Sequence, residues 1–191
     1  SKASVINNNS YTNKGRLKIF KSSVFTNNSS MDNDSSIINY GTLNNTSTIT
    51  LDSTSIITNY RTIDNANGAT ITNEGSITNK KLGSSNFDSI DTSDIYGTIN
   101  NTGTINLNKG QITNSGKIQN NVTTGIINNK AVIVTDSLVV NYGAFNNQNS
   151  SRIDNTGLVD NISSGTITNS AIVNNNSSII NSICPLLRPF L

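Results

Sequence analysis

Reactive side chains are scarce in this chain. It has no histidine, so neither Ser–His nor Cys–His nucleophilic catalysis nor an ordinary zinc site can be assembled from it. Glu74 is the only glutamate and Cys184 the only cysteine, so no intrachain disulfide can form. Asp88, Asp91 and Asp94 stand three apart and carry the carboxylate oxygens that a hard cation such as calcium takes. A solvated acidic loop is the ordinary reading of the same spacing. Asp32, Asn33, Asp34 and Ser36 imitate the opening of a calcium loop but lack its central Gly and closing Glu. Gly110 and Gly116 read as turn glycines, since no dinucleotide fingerprint surrounds them. Tyr40, Tyr60 and Tyr142 recur at one position of a repeating phrase, where they could stack on one another or offer a face to a sugar ring. Cleavage of polysaccharides needs clustered carboxylates or bases in a groove, and no such cluster is legible. We expect no enzyme, no resident metal and no cofactor.

The elements that carry these residues follow from composition. Asn supplies 36 of the 191 residues, aromatics 5% and hydrophobics 33%, so a thick globular core cannot be built. Disorder of low-complexity chains goes with high net charge and unpatterned polarity, whereas the net charge here is +2 and the aliphatic residues recur in strict rhythm. The rhythm implies an ordered, thin, shared core. Lys and Arg form no run longer than Lys80–Lys81, which argues against a nucleic-acid partner. No stretch approaches the roughly 18 consecutive apolar residues of a membrane span.

The repeating phrase is aliphatic-x-Asn-x-Gly-x-aliphatic-x-Asn, clearest from Ile99 to Asn120. Aligned starts fall mostly 13 or 14 residues apart, from Tyr11 and Phe25 through Ile112, Ile126 and Val139 to Ile153 and Ile167. A second aliphatic position runs from Leu17 and Met31 through Ile118, Val132 and Phe145 to Val173. Side chains alternate with period two, as in Thr48-Ile49-Thr50 and Thr70-Ile71-Thr72, and Asn, Gly, Thr and Ile are neutral to poor helix formers. These are short strands with the aliphatic residue inward and hydroxyls outward. The expected fold is all-β, a single parallel β-solenoid (β-helix) of roughly 14-residue coils with two strands each and a non-repeat C-terminal cap or tail. Eleven or twelve coils would give a rod on the order of 55 Å long.

Stacked Asn side chains should form ladders along it. One column is expected through Asn59, Asn73, Asn101, Asn114, Asn128, Asn141, Asn155 and Asn169, beginning at Asn13, Asn27 and Asn39, and a second through Asn33, Asn45, Asn65, Asn79, Asn120, Asn147, Asn161 and Asn175. Gly is expected where a turn needs positive φ. The rhythm breaks between Leu43 and Ile57 and again between Leu82 and Ile99, both readable as loops leaving the rod. Residues 1–10 form a cap or assembly segment, 11–178 the solenoid and 179–191 an apolar tail. Ile179, Ile180, Ile183, Leu186, Leu187, Phe190 and Leu191 in that tail, with Pro185 and Pro189, would cap the stack or join it to another copy.

The phrases ITNEGSITN (71–79), INNTGTIN (99–106), ITNSGKIQN (112–120) and IDNTGLVDN (153–161) resemble the repeats of bacterial surface β-solenoids of the filamentous-haemagglutinin type. More loosely they resemble the Asn-rich coils of grass ice-recrystallisation inhibitors. The resemblance implies a solenoid and no catalytic residues. The leading expectation is a structural subunit that stacks end to end into an extracellular or surface filament, a homopolymer. The alternatives are an adhesin or glycan-binding rod using Tyr40, Tyr60, Tyr142 and the irregular segment, and an ice-binding protein. For the last, the Thr rows look interrupted by Lys117, Val140, Arg152 and Asp154.

Overall fold

The computed structural model describes residues 3–82, 95–96, 98–101, 104–107, 111–114, 117–120, 126–129, 132–135, 138–141, 143–148, 151–162, 166–169 and 172–182. Nearly every strand is four residues long and alternates outward and inward side chains, with an aliphatic residue second and Asn fourth. Two residues usually suffice to turn the corner to the next strand, as Tyr40–Gly41 do between Asn39 and Thr42. The described residues form no helix.

Three parallel sheets wrap one axis. The first holds nine strands: Ser4–Asn7, Val24–Asn27, Thr42–Asn45, Thr62–Asn65, Thr98–Asn101, Lys117–Asn120, Leu138–Asn141, Leu158–Ile162 and Ser178–Ser182. The second holds eight: Tyr11–Asn13, Ser30–Asn33, Thr48–Leu51, Thr70–Asn73, Thr104–Leu107, Ile126–Asn129, Ala144–Asn147 and Thr166–Asn169. The third also holds eight: Arg16–Ile19, Ser36–Asn39, Ile56–Asn59, Ser76–Asn79, Gln111–Asn114, Val132–Thr135, Arg152–Asn155 and Ile172–Asn175. Nine strands at about 4.8 Å make a rod about 38 Å long, shorter than the sequence suggests.

The parallel β-solenoid is therefore as expected, but its coil is longer. Register partners lie 20 apart in Ile37↔Ile57 and Ile57↔Ile77, so a coil has three strands where the repeat suggested two in about 14 residues. The 13- to 14-residue phrase spans two faces, and a third must be added before the chain stacks on itself. The corner explains why. Reversing direction between two sheets about 10 Å apart needs some three extended residues, whereas a two-residue corner only bends the chain, and three bends close the circuit.

The longer interval between Leu43 and Ile57 is accordingly an ordinary face: Thr48–Leu51 belongs to the second sheet, with Ile49 inward and buried. The interval after Asn79 is a true departure. Lys81–Leu82 pairs antiparallel with Ile95–Tyr96, and the solenoid resumes at Thr98.

The core is three aliphatic columns meeting on the axis. Leu43, Ile63, Ile99 and Ile118 continue one; Ile49, Ile71, Ile105 and Ile127 the second; Ile57, Ile77, Ile112 and Ile133 the third, all buried. Ile127 and Ile133 are the inward residues where the phrase points to Ile126 and Val132, because two aliphatics in succession leave the alternation ambiguous until Ile127 pairs with Ile105 and Ile133 with Ile112. Between Ile99, Ile105, Ile112, Ile118, Ile127, Ile133, Val139 and Phe145 the axis holds a small apolar void of about 10 Å³, about the size of one water molecule.

Gly41 and Gly75 serve close approach rather than positive φ. A Cβ on Gly41 would lie 2.2 Å from the Ser23 carbonyl oxygen and 2.5 Å from that of Phe20, and one on Gly75 would lie 2.3 Å from the Ser55 oxygen and 2.4 Å from that of Asp52. The coil beneath each has a wider corner, closed by Ser23 N–H to Phe20 O and Ser55 N–H to Asp52 O, both at 3.0 Å, whose carbonyls press against the glycine. Among the described residues only Ser22 and Gly68 adopt positive φ.

Candidate functional site

The most developed polar structure lies inside the rod. Most strands end on an Asn whose side chain turns inward at the corner, where water cannot serve it and neighbouring coils must. In the first sheet the amides form an unbroken ladder: Asn7, Asn27, Asn45, Asn65, Asn101, Asn120, Asn141 and Asn161, each Nδ2 donating to the next Oδ1 at 2.7–2.9 Å. In the third sheet Asn39, Asn59, Asn79 and Asn114 do the same at 2.8 Å, Asn114 then donates to Thr135 Oγ1 at 3.1 Å, and Asn155 donates to Asn175. The second sheet is interrupted: Asn13 donates to Asn33, and Asn129, Asn147 and Asn169 form a later run, while Leu51 takes the ladder position between Asn33 and Asn73. Among the described residues no hydrogen-bond donor reaches Asn73 Oδ1, and the residue below it in the column is that leucine.

The same amides hold the corners. Asn39 Oδ1 accepts from Gly41 N–H at 3.0 Å and Asn155 Oδ1 from Gly157 N–H at 3.1 Å, while Asn39 Nδ2 also donates to Thr62 O of the next coil at 2.6 Å. One side chain thus fixes its own turn and ties it to the next coil.

Of the expected ladder residues, Asn101 and Asn141 stand in the first sheet, Asn73 and Asn169 in the second, and Asn59, Asn114 and Asn155 in the third. The two expected columns are in fact three. Asn128 is a correction: it faces outward, half-buried, and accepts from Asn146 Nδ2 at 3.0 Å, while Asn129 is buried on the ladder. The shift follows from the ambiguous Ile126–Ile127 pair.

Tyr40 and Tyr60 occupy the corner between the third and first sheets and stack face to face, centroids 4.8 Å apart and planes 2° from parallel. The spacing is that of the coils, and each ring gives one of its two faces to the other. Lys18 Nζ lies 5.1 Å from the Phe20 ring and 5.3 Å from Tyr40, extending the column by two residues the sequence did not single out. A 20-residue period would have found Phe20, Tyr40 and Tyr60 together. Tyr142 lies outside the described residues, as do Asp88, Asp91 and Asp94.

The outer faces differ in character. The four residues that seemed to interrupt the Thr rows stand elsewhere: Lys117 and Val140 on the first sheet, Arg152 and Asp154 on the third, the last two ion-paired at 2.7 Å. The second sheet sets Thr48 and Thr50 beside Thr70 and Thr72, continues in register through Thr104 and Asn106, Ile126 and Asn128, Ala144 and Asn146, and returns to Thr166 and Thr168. Asp32 is the one charge among its described outward positions.

Exposed aliphatic residues collect on the outermost strands of the first sheet, with Val5 and Ile6 54% and 56% exposed and Ile179 and Ile180 44% and 42%. Ile183, Leu186, Leu187, Phe190 and Leu191 lie outside the described residues. Among the described residues no three His, Cys, Asp or Glu side chains come together as metal ligands, and no helix is long and apolar enough to cross a membrane. Comparison with protein-family models, with curated proteins and with solved structures gives no match.

Proposed function

We propose that this chain is a structural β-solenoid subunit that stacks coil on coil into an extended extracellular or surface filament. The observation that carries this reading is the pairing of a constant cross-section with exposed Val5, Ile6, Ile179 and Ile180 on its two outermost first-sheet strands. Among the described residues no strand pairs beyond Ser4–Asn7 or Ser178–Ser182, so each offers a row of backbone donors and acceptors to a further strand. Contacts between unlike surfaces that do not close into a ring propagate as a fibre. The resemblance of the repeats to those of surface adhesins is in keeping with that setting. Electron microscopy and light scattering across a concentration series test it: rods that lengthen with concentration are expected, and single short rods at every concentration would overturn it.

A second reading is favoured by the second sheet. Its outward positions, several of them Thr, repeat about 6.7 Å along the strand by about 4.8 Å between coils and are nearly uncharged, as an ordered water lattice such as ice would require. Thermal hysteresis lost in Thr50→Lys and Thr72→Lys would support ice binding. Its absence from the unaltered protein would remove it.

A further inference from the structure

The buried ladders have a direction. In all seven links of the first-sheet ladder the earlier residue donates through Nδ2 and the later accepts through Oδ1, and the buried amide pairs of the second and third sheets run the same way. The face below Ser4–Asn7 is therefore the acceptor side of the first- and second-sheet columns, which open on Asn7 and Asn13, and the opposite end is the donor side. Two like faces would set oxygen against oxygen or nitrogen against nitrogen in a buried place, whereas unlike faces continue the ladder.

Sequence and exposure agree with this polarity. Ser4-Val5-Ile6-Asn7 and Ser178-Ile179-Ile180-Asn181 share the order Ser, aliphatic, aliphatic, Asn, with Val5 and Ile179 in register with the buried Phe25 and Val159. Laid in the parallel register that joins every other pair in this sheet, Val5 falls on Ile179 in the core column, Ile6 on Ile180 outside it, and Asn7 at the position following Asn181. The second and third sheets hold one strand fewer, so in this register Asn13 and Ile19 lie two coil heights, about 9.6 Å, beyond Asn169 and Asn175, and only the first-sheet column continues directly.

Resting on the filament reading above, we propose that the partner of each end face is the opposite face of a second copy of this chain. The junction is a parallel first-sheet pair, Ser178–Ser182 beneath Ser4–Asn7, and the filament is polar with two chemically distinct ends. Its specificity comes from the first-sheet amide column and its apolar contact from Ile6 against Ile180.

Cysteine cross-linking tests this in a Cys184→Ser background. Ile6→Cys and Ile180→Cys proteins are mixed, oxidised and resolved on non-reducing gels with mass spectrometry of the linked peptides, while light scattering follows assembly. Links between Ile6→Cys and Ile180→Cys should exceed either like-with-like link by about tenfold, since a like-face junction leaves the first-sheet amides unmatched, at a cost of about 1.4 kcal/mol or more. Assembly in which like-with-like links equal or outnumber the mixed ones would overturn the polar junction and leave the filament standing. Protein that stays monomeric and forms no mixed link at any concentration would overturn both.

Discussion

Replacing Asn45 by aspartate exchanges one buried donor for an acceptor and leaves the shape of the rod unchanged. Asn45 is fully buried; its Oδ1 accepts from Asn27 Nδ2 at 2.9 Å, and its Nδ2 faces Ser47 O at 2.9 Å, Asn65 Oδ1 at 2.8 Å and Thr70 O at 3.1 Å. Asn45→Asp keeps the bond from Asn27 and turns the second atom, once ionised, into an oxygen confronting three oxygens. Burial and these neighbours disfavour the charge and should raise the introduced carboxyl by about three pH units over its unfolded value near 3.9, worth about 4 kcal/mol. The raised folded value means that the native state binds more protons than the unfolded one between about pH 4 and pH 7, so stability falls as pH rises through that window and is level above it. Below about pH 4 both states are neutral, one carboxyl O–H restores one donated bond, and a deficit of about 1–2 kcal/mol remains for the rest. Urea denaturation followed by circular dichroism between pH 3.5 and 8, compared with the unaltered protein and with Asn67→Asp on an exposed turn, reads both magnitude and sign. A variant that tracks the unaltered protein within about 0.5 kcal/mol at every pH would show that the amide of Asn45 is not held in a dry ladder.

Gly75→Ala places a methyl group against the Asp52 and Ser55 carbonyls and should cost about 1–3 kcal/mol by the same denaturation assay, with Gly41→Ala behaving alike. A double-mutant cycle on Tyr40→Ala and Tyr60→Ala should return a coupling of about 0.5–1.5 kcal/mol for the stacked rings. Excising residues 82–97 leaves Lys80–Lys81 as a two-residue corner between Asn79 and Thr98, like Tyr60–Arg61 between Asn59 and Thr62; the shortened chain should keep its β circular-dichroism spectrum, and a lost spectrum would place the excised stretch in the core.

The sequence made the inward columns legible because burial is written in residue type at every second position. Met31, Leu43, Ile77 and Phe145 were all read as inward and all are buried. Coil closure was not legible. A phrase that repeats face by face, with Ile and Asn on each, carries no mark of where the chain first meets itself, so two faces count as a turn and the interval from Leu43 to Ile57 reads as a loop even though Thr48-Ile49-Thr50 within it reads as a strand. Register was lost where the alternation is locally degenerate, at Ile126–Ile127 and Val132–Ile133, and only pairing with the coil below resolves it. The roles of Gly41 and Gly75 depend on carbonyls some 20 residues away, contacts that only the stacked coil creates. For the same reason the nearly uncharged face of the second sheet stayed hidden: the charges that seemed to break it belong to other faces.

The length of a coil also fixes how such a rod would give way under tension along its axis. Load falls on the outermost strand, and the chain peels one circuit at a time. A coil of about 20 residues occupies about 4.8 Å of the rod yet releases about 70 Å of extended chain. The circuit between Asn65 and Asn101, whose ladder partners are 36 residues apart, releases nearly twice as much. A pulled molecule would yield in even steps with one long step among them, dissipating work at each circuit while the remaining coils hold their shape.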